Sequence, residues 1–85
     1  MYIEDLIRDV YVETGYINAT EEDTEEEVQM SLEKVKGGDY TAIYSEIADN
    51  LLLEENAANK EKWLKRLEML VAFQRYGVKK MDKTW

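Results

Sequence analysis

The stretch that decides the fold runs from residue 59 to residue 77 and reads Asn59-Lys-Glu-Lys-Trp-Leu-Lys-Arg-Leu-Glu-Met-Leu-Val-Ala-Phe-Gln-Arg-Tyr-Gly77. Asn59 is a favourable N-cap, and Gly77 stands where a glycine commonly ends a helix. The residues between them include many strong helix formers and no proline. We therefore predict a helix over residues 60–76.

Two different arcs of this helix are apolar when its residues are projected at about 100° each. The first arc has the width of a normal core-facing stripe and consists of Trp63, Leu64, Leu67, Leu70 and Val71. The second arc carries Met69, Phe73 and Tyr76, flanked by Lys62 and Arg66. A helix with two apolar arcs needs cover on two sides. We predict that the second arc and its flanking cations contact a partner; the alternative is burial of the trio inside the bundle or in a homodimer.

Length and composition limit the possible functions. The chain has 85 residues, a net charge of −8, and neither cysteine nor histidine. A chain of this size forms one small domain. Disulfides, zinc sites with the usual ligands and histidine-assisted nucleophilic sites are excluded, so we expect a non-catalytic protein without cofactor or metal. The sequence shows no secretory signal pattern and no long apolar run, from which we expect a cytoplasmic protein that does not cross a membrane.

The N-terminal segment has the clearest helical spacing. Its apolar residues recur at i, i+3, i+4, i+7 and i+8, and they are Ile3, Leu6, Ile7, Val10 and Tyr11. The β-branched residues of 10–14 would also suit a strand, but a strand would interrupt this spacing. We predict a helix near 2–14 that ends at Gly15.

Two further helices are predicted from their caps and stops. Thr20 with Asp23 and Thr24 with Glu27 form overlapping capping boxes, of which the second matches the consensus better, so a helix is predicted near 24–36. Its narrow apolar stripe consists of Val28, Leu32 and Val35. After Gly37 and Gly38, Asp39 is expected to cap a helix near 39–55, whose broad apolar face consists of Tyr40, Ile43, Tyr44, Ile47, Ala48 and Leu51.

An acidic run occupies the start of the second helix, with six acids in the seven positions from 21 to 27. Acidic residues in a first turn are favoured by the helix dipole, which explains the run structurally. The alternative is an anionic patch that imitates nucleic-acid phosphates, formed by Glu21, Glu22, Asp23, Glu25, Glu26 and Glu33. A calcium loop is excluded because no glycine lies between residues 15 and 37.

Charge is distributed unevenly along the chain. Residues 1–58 contain sixteen acidic and three basic residues, a balance of −13, whereas residues 59–85 contain three acidic and eight basic residues, a balance of +5. The basic segment 78–85 is predicted to be a frayed tail; alternatively it docks through Trp85 while its lysines meet acids or nucleic-acid phosphates. These lysines are Lys79, Lys80 and Lys83. Direct nucleic-acid binding is not expected, because the acidic body opposes it and residues 40–54 contain no lysine or arginine.

Together these patterns predict an all-α, single-domain bundle of four helices near 2–14, 24–36, 39–55 and 60–76, followed by the basic tail 78–85. The predicted function is a protein–protein interaction module that occludes or bridges a macromolecular partner, as a regulator or inhibitor. The alternative is an acidic nucleic-acid mimic that inhibits a DNA-binding protein, of the type used by phages and mobile elements.

Overall fold

A computed structural model of the chain describes residues 2–14 and 20–84. These residues form five α-helices and no strand, which confirms the predicted all-α bundle. The helices are α1 (Ile3–Glu13), α2 (Glu21–Lys36), α3 (Thr41–Leu53), α4 (Ala57–Tyr76) and α5 (Val78–Thr84).

Four of the five helices form two pairs that share one core, and α5 packs on α4. Helix α1 packs mainly on α2, and α3 packs mainly on α4, while α1 also touches α3 and α4. The shared core contains apolar side chains from all five helices: Ile3, Leu6, Ile7, Val10, Val28, Leu32, Val35, Ile43, Ile47, Trp63, Leu70, Phe73 and Met81. The core stripes predicted for α1 and α2 are confirmed, with Tyr11 lying half-buried at the margin.

Helix α2 begins at Glu21, three residues earlier than predicted. Thr20 is extended, and its hydroxyl accepts a hydrogen bond from the Asp23 N–H at 3.1 Å, while the Asp23 carboxylate accepts one from the Thr20 N–H at 3.2 Å. The preferred box of Thr24 with Glu27 is therefore wrong. Thr24 lies inside the helix, where its hydroxyl donates to the carbonyl oxygen of Thr20.

Helix α4 also begins earlier than predicted, at Ala57, with Asn56 instead of Asn59 as its N-cap. The Asn56 Oδ1 accepts hydrogen bonds from the N–H groups of Ala58 at 2.9 Å and Asn59 at 3.2 Å. Ala57 and Ala58 favour a helical conformation, so the helix extends back to Asn56. The predicted role of Asp39 is partly met, since its carboxylate accepts from the Thr41 N–H at 3.0 Å, although α3 begins one residue later than a cap at Asp39 implies.

Residues 78–84 form helix α5 instead of the predicted frayed tail. Gly77 connects α4 to α5 with φ of 93°, a conformation that side-chain-bearing residues rarely adopt. Met81 is buried in the core, and the Asp82 carboxylate accepts a hydrogen bond from the Ile3 N–H at 3.0 Å. The predicted docking of Trp85 lies outside the described residues, and Lys79 and Lys80 are exposed.

Candidate interaction surface

Helix α4 presents a different face to the core from the one predicted. Its buried residues are Trp63, Leu70 and Phe73, whereas Leu64 and Val71 are exposed. On a helical projection the observed core stripe is rotated by roughly 80° from the predicted one. The prediction was right for Trp63 and Leu70 and wrong for Leu64 and Val71, and Leu67 lies half-buried between the two groups.

The predicted contact face of α4 is not a single exposed surface. Phe73 is fully buried, at 0% exposure, and Met69 is partly buried against the core. Tyr76 is 54% exposed. The physical reason is that the rest of the bundle covers this arc, with Glu13 of α1 reaching its two cations. Phe73 therefore belongs to the core.

The two flanking cations, Lys62 and Arg66, bind the end of α1. The Glu13 carboxylate accepts a hydrogen bond from Lys62 Nζ at 2.6 Å and another from Arg66 Nη1 at 2.9 Å. The Arg66 guanidinium also lies over the Trp63 ring, 4.5 Å from its centroid. Desolvation by partial burial raises the pKa of Glu13, but the hydrogen bonds and charges of Lys62 and Arg66 outweigh it, so the net pKa is lowered. This cluster fixes α1 against α4.

Acidification should weaken this cluster. A carboxyl whose folded-state pKa is lowered contributes stability above its ordinary pKa of 4.5 and loses it as the pH falls through the folded-state value. We expect Glu13→Gln to reduce stability at pH 7 by less than about 1 kcal/mol, since the pair is partly exposed, with the difference shrinking below pH 4.5. Urea unfolding at several pH values measures this. Glu55→Gln, at an exposed position, is the control, and an equal pH dependence in both variants would contradict the assignment.

An exposed apolar surface lies on one side of the α3–α4 hairpin. Leu64 and Val71 of α4 are 44% and 42% exposed and stand seven residues apart, on the same side of the helix. Tyr44 of α3 is 41% exposed and lines a shallow groove with Gln74 of α4. Gln74 stands seven residues after Leu67, beside Val71, so the Tyr44 side of α3 adjoins this edge of α4.

We call this surface the hairpin face and define it by Tyr44, Leu51, Leu64, Leu67 and Val71. Leu51 stands seven residues after Tyr44 and, like Leu67, is half-buried against the core. At the end of α3, Leu52 and Leu53 are both 81% exposed. Charges of both signs border the α4 part of the face along its outer flank and at its N-terminal end: Lys60, Glu61, Lys65, Glu68 and Arg75. The apolar content of α4 indicated in the sequence that an apolar surface would remain exposed, but the helical periodicity did not identify which arc of the helix it is.

The acidic residues of the alternative interpretation are exposed on α2. Asp23 is engaged in the capping box, and Glu25 binds Arg8 of α1 at 2.7 Å. The hydrogen bond from Arg8, with a second from Gln29, lowers the pKa of Glu25. An open depression is lined by Glu22, Glu25, Glu26, Gln29, Met30 and Glu33. Glu21 is exposed at the first position of the helix, so the six acids line one end and one side of α2.

No group of three or more acidic side chains within residues 2–14 and 20–82 is arranged to hold a metal ion. None of the described helices is long and apolar enough to span a membrane. Comparison with protein-family models, curated proteins and solved structures found no match to this chain. The candidate surface therefore stands on the geometry and chemistry of its own residues.

Proposed function

We propose that this protein is a non-catalytic interaction protein that occludes or bridges a macromolecular partner, and that the hairpin face is its contact surface. The observation that carries the proposal is the exposure of Leu64 and Val71 in the middle of the longest described helix, with Tyr44 exposed on the neighbouring helix α3. Single exposed apolar residues are ordinary, but contiguous apolar patches rimmed by polar residues mark interaction sites.

The composition of the face supports this role. It combines aliphatic side chains with a tyrosine, whose ring offers apolar area and whose hydroxyl can hydrogen-bond across an interface. Leu51 and Leu67 are already half-buried, so a partner would complete their burial without a rearrangement of the core. Two packed helices also hold these side chains in fixed positions, which lowers the entropic cost of binding.

The test compares two double variants that remove equal numbers of exposed apolar side chains. Leu64→Gln with Val71→Gln changes the hairpin face, whereas Tyr2→Gln with Val12→Gln changes exposed positions just before α1 and within it, outside both candidate surfaces. Exposed substitutions usually alter stability by about 0.5 kcal/mol or less each, so both variants should stay folded by circular dichroism. Partners captured from a lysate of the native cell are then quantified by mass spectrometry.

We expect the hairpin-face variant to lose its partner by tenfold or more, equivalent to about 1.4 kcal/mol of binding free energy, and the control variant to retain it. Equal capture by the wild type and both variants would contradict the proposal. A loss in both variants would indicate a nonspecific effect of surface apolarity.

The acidic mimic is the second candidate function, and the exposure of its carboxylates around Met30 favours it. A third variant, with Glu21, Glu22, Glu26 and Glu33 changed to Gln, leaves the capping box and the Arg8–Glu25 pair intact. If this variant alone loses a DNA-binding partner, and the wild-type complex weakens steeply with salt, the mimic replaces the hairpin face as the proposed function.

A further inference from the structure

Around the α4 part of the hairpin face, the charges of this strongly acidic molecule nearly balance. The whole chain carries −8, and α2 exposes a dense group of carboxylates. Around the α4 part of the hairpin face there are instead three cations and two acids: Lys60, Lys65, Arg75, Glu61 and Glu68. Two copies of an acidic protein repel each other through most of their surfaces but not through this one. A basic partner would be steered toward α2 instead.

We infer that a second copy of this chain covers the hairpin face, with the two α4 helices antiparallel across a twofold axis. The inference rests on the proposed function, because it assigns the partner of the same surface. Homo-oligomers are most often twofold dimers, in which the same patch of each copy faces the other. The positions of Glu61 and Arg75 along α4 match this symmetry.

The antiparallel arrangement brings apolar residues into register. If the twofold axis passes α4 midway between Leu64 and Val71, Leu64 lies opposite Val71 of the second copy, and this contact occurs twice. Leu67 lies close to the axis and meets Leu67 of the second copy. The seven-residue spacing of Leu64 and Val71 keeps both on the side that faces the other helix.

The same register pairs opposite charges. Glu61 and Arg75 lie on the same flank of the apolar stripe and almost equally far from its midpoint along the helix. In an antiparallel pair, the same flank of each helix lies side by side, so Glu61 meets Arg75 of the second copy at both ends of the contact. Glu61 is free to do so, because its pairing with Lys65 within the chain is long, at 3.9 Å, and exposed. Glu68 lies near the axis, where it opposes Glu68 of the second copy.

The available area fits a weak dimer. Helix α4 has 20 residues, which corresponds to about 30 Å of length. With α3 beside it the face measures on the order of 600 Å² per copy, near the lower limit for specific interfaces. The dimer is therefore expected to dissociate in the micromolar range.

The experiment is analytical ultracentrifugation of the full chain from about 1 to 200 µM, which brackets that range. The wild type should convert from monomer to dimer. Arg75→Glu and Glu61→Arg should each raise the dissociation constant at least tenfold. The two changes together should return it to within about threefold of the wild type, since the swapped charges again attract. Glu68→Gln should strengthen the dimer by removing the repulsion at the axis.

The charge-swap variant separates a true contact from structural damage, because two harmful substitutions do not restore each other unless they pair. Circular dichroism confirms that each variant is folded. A wild type that is monomeric throughout overturns the inference, as does a dimer that the double swap fails to restore. A dimer that persists in the Leu64→Gln, Val71→Gln variant also overturns it. If the wild type is monomeric but its partner capture depends on Leu64 and Val71, self-pairing is overturned and the proposed function stands. If the Leu64→Gln, Val71→Gln variant keeps both dimerisation and partner capture, both proposals are overturned.

Discussion

Phe73→Ala is expected to reduce the free energy of unfolding by about 3–5 kcal/mol, because it empties a fully buried position. Phe73 is the largest fully buried side chain described, and it stands one turn before Gly77, where α4 gives way to α5. Small domains have a total stability of roughly 5–15 kcal/mol, so this variant should lose a large share of its stability and unfold at a much lower urea concentration than the wild type. Urea denaturation of the protein at about 1 µM, monitored by the helical signal in circular dichroism, measures the loss of stability.

Tyr76→Ala is the matched control for Phe73→Ala. Tyr76 is also aromatic and lies three residues later on the same helix, but it is exposed. Its replacement should change stability by no more than about 0.5–1 kcal/mol. Similar losses in the two variants would show that the core face of α4 has been assigned incorrectly.

Trp63→Ala is expected to cost a similar amount, about 3–5 kcal/mol. Trp63 is 3% exposed, so truncation leaves a cavity between α4 and the core. The substitution also removes the ring over which the Arg66 guanidinium lies, which weakens the anchoring of Glu13. We therefore expect both a lower unfolding midpoint in urea and a smaller dependence of stability on pH below 4.5.

Leu64→Ala is the control for Trp63→Ala because it changes the next residue of the same helix. Leu64 is exposed, so in the monomer at about 1 µM the loss should stay below about 1 kcal/mol. At concentrations that favour the dimer, the same change should reduce stability further, because it weakens the inferred contact with the second copy. A large loss in the dilute monomer would place Leu64 in the core and remove it from the hairpin face.

The sequence was most informative where a helix has one apolar stripe and one set of boundary residues. Helix α1 has a single stripe, Ile3, Leu6, Ile7 and Val10, and these side chains are buried as predicted. Helix starts were harder to predict because the chain offers duplicate caps. Thr20 and Thr24 each begin a sequence that matches a capping box, and Asn56 and Asn59 are the same residue type three positions apart. Which one serves as the N-cap depends on where the extended backbone turns into the helix, and this happens at Thr20 and at Asn56.

The orientation of α4 could not be predicted because its apolar residues cover more than one arc. Either Leu64 with Val71 or Phe73 with Met69 could have turned inward with Trp63 and Leu70. The choice depends on the side from which the rest of the bundle approaches, and Glu13 at the end of α1 shows that side. Helix α5 has a weaker signal in the sequence, namely the three-residue spacing of Val78 and Met81. A single pair of apolar residues is too short a pattern to distinguish a helix from a tail.

The hydrogen bond between Asp82 and the N–H of Ile3 brings together two parts of the chain that are 79 residues apart in sequence. The N-terminal end of α1 thus lies beside the C-terminal end of α5, so a short linker could join the two helices covalently in a circular permutant. New termini between Glu54 and Glu55 would interrupt no helix and would leave the Asn56 cap in place. Helix α4 would then come first in the chain and α3 last, so that their packing would hold the permutant's two ends together.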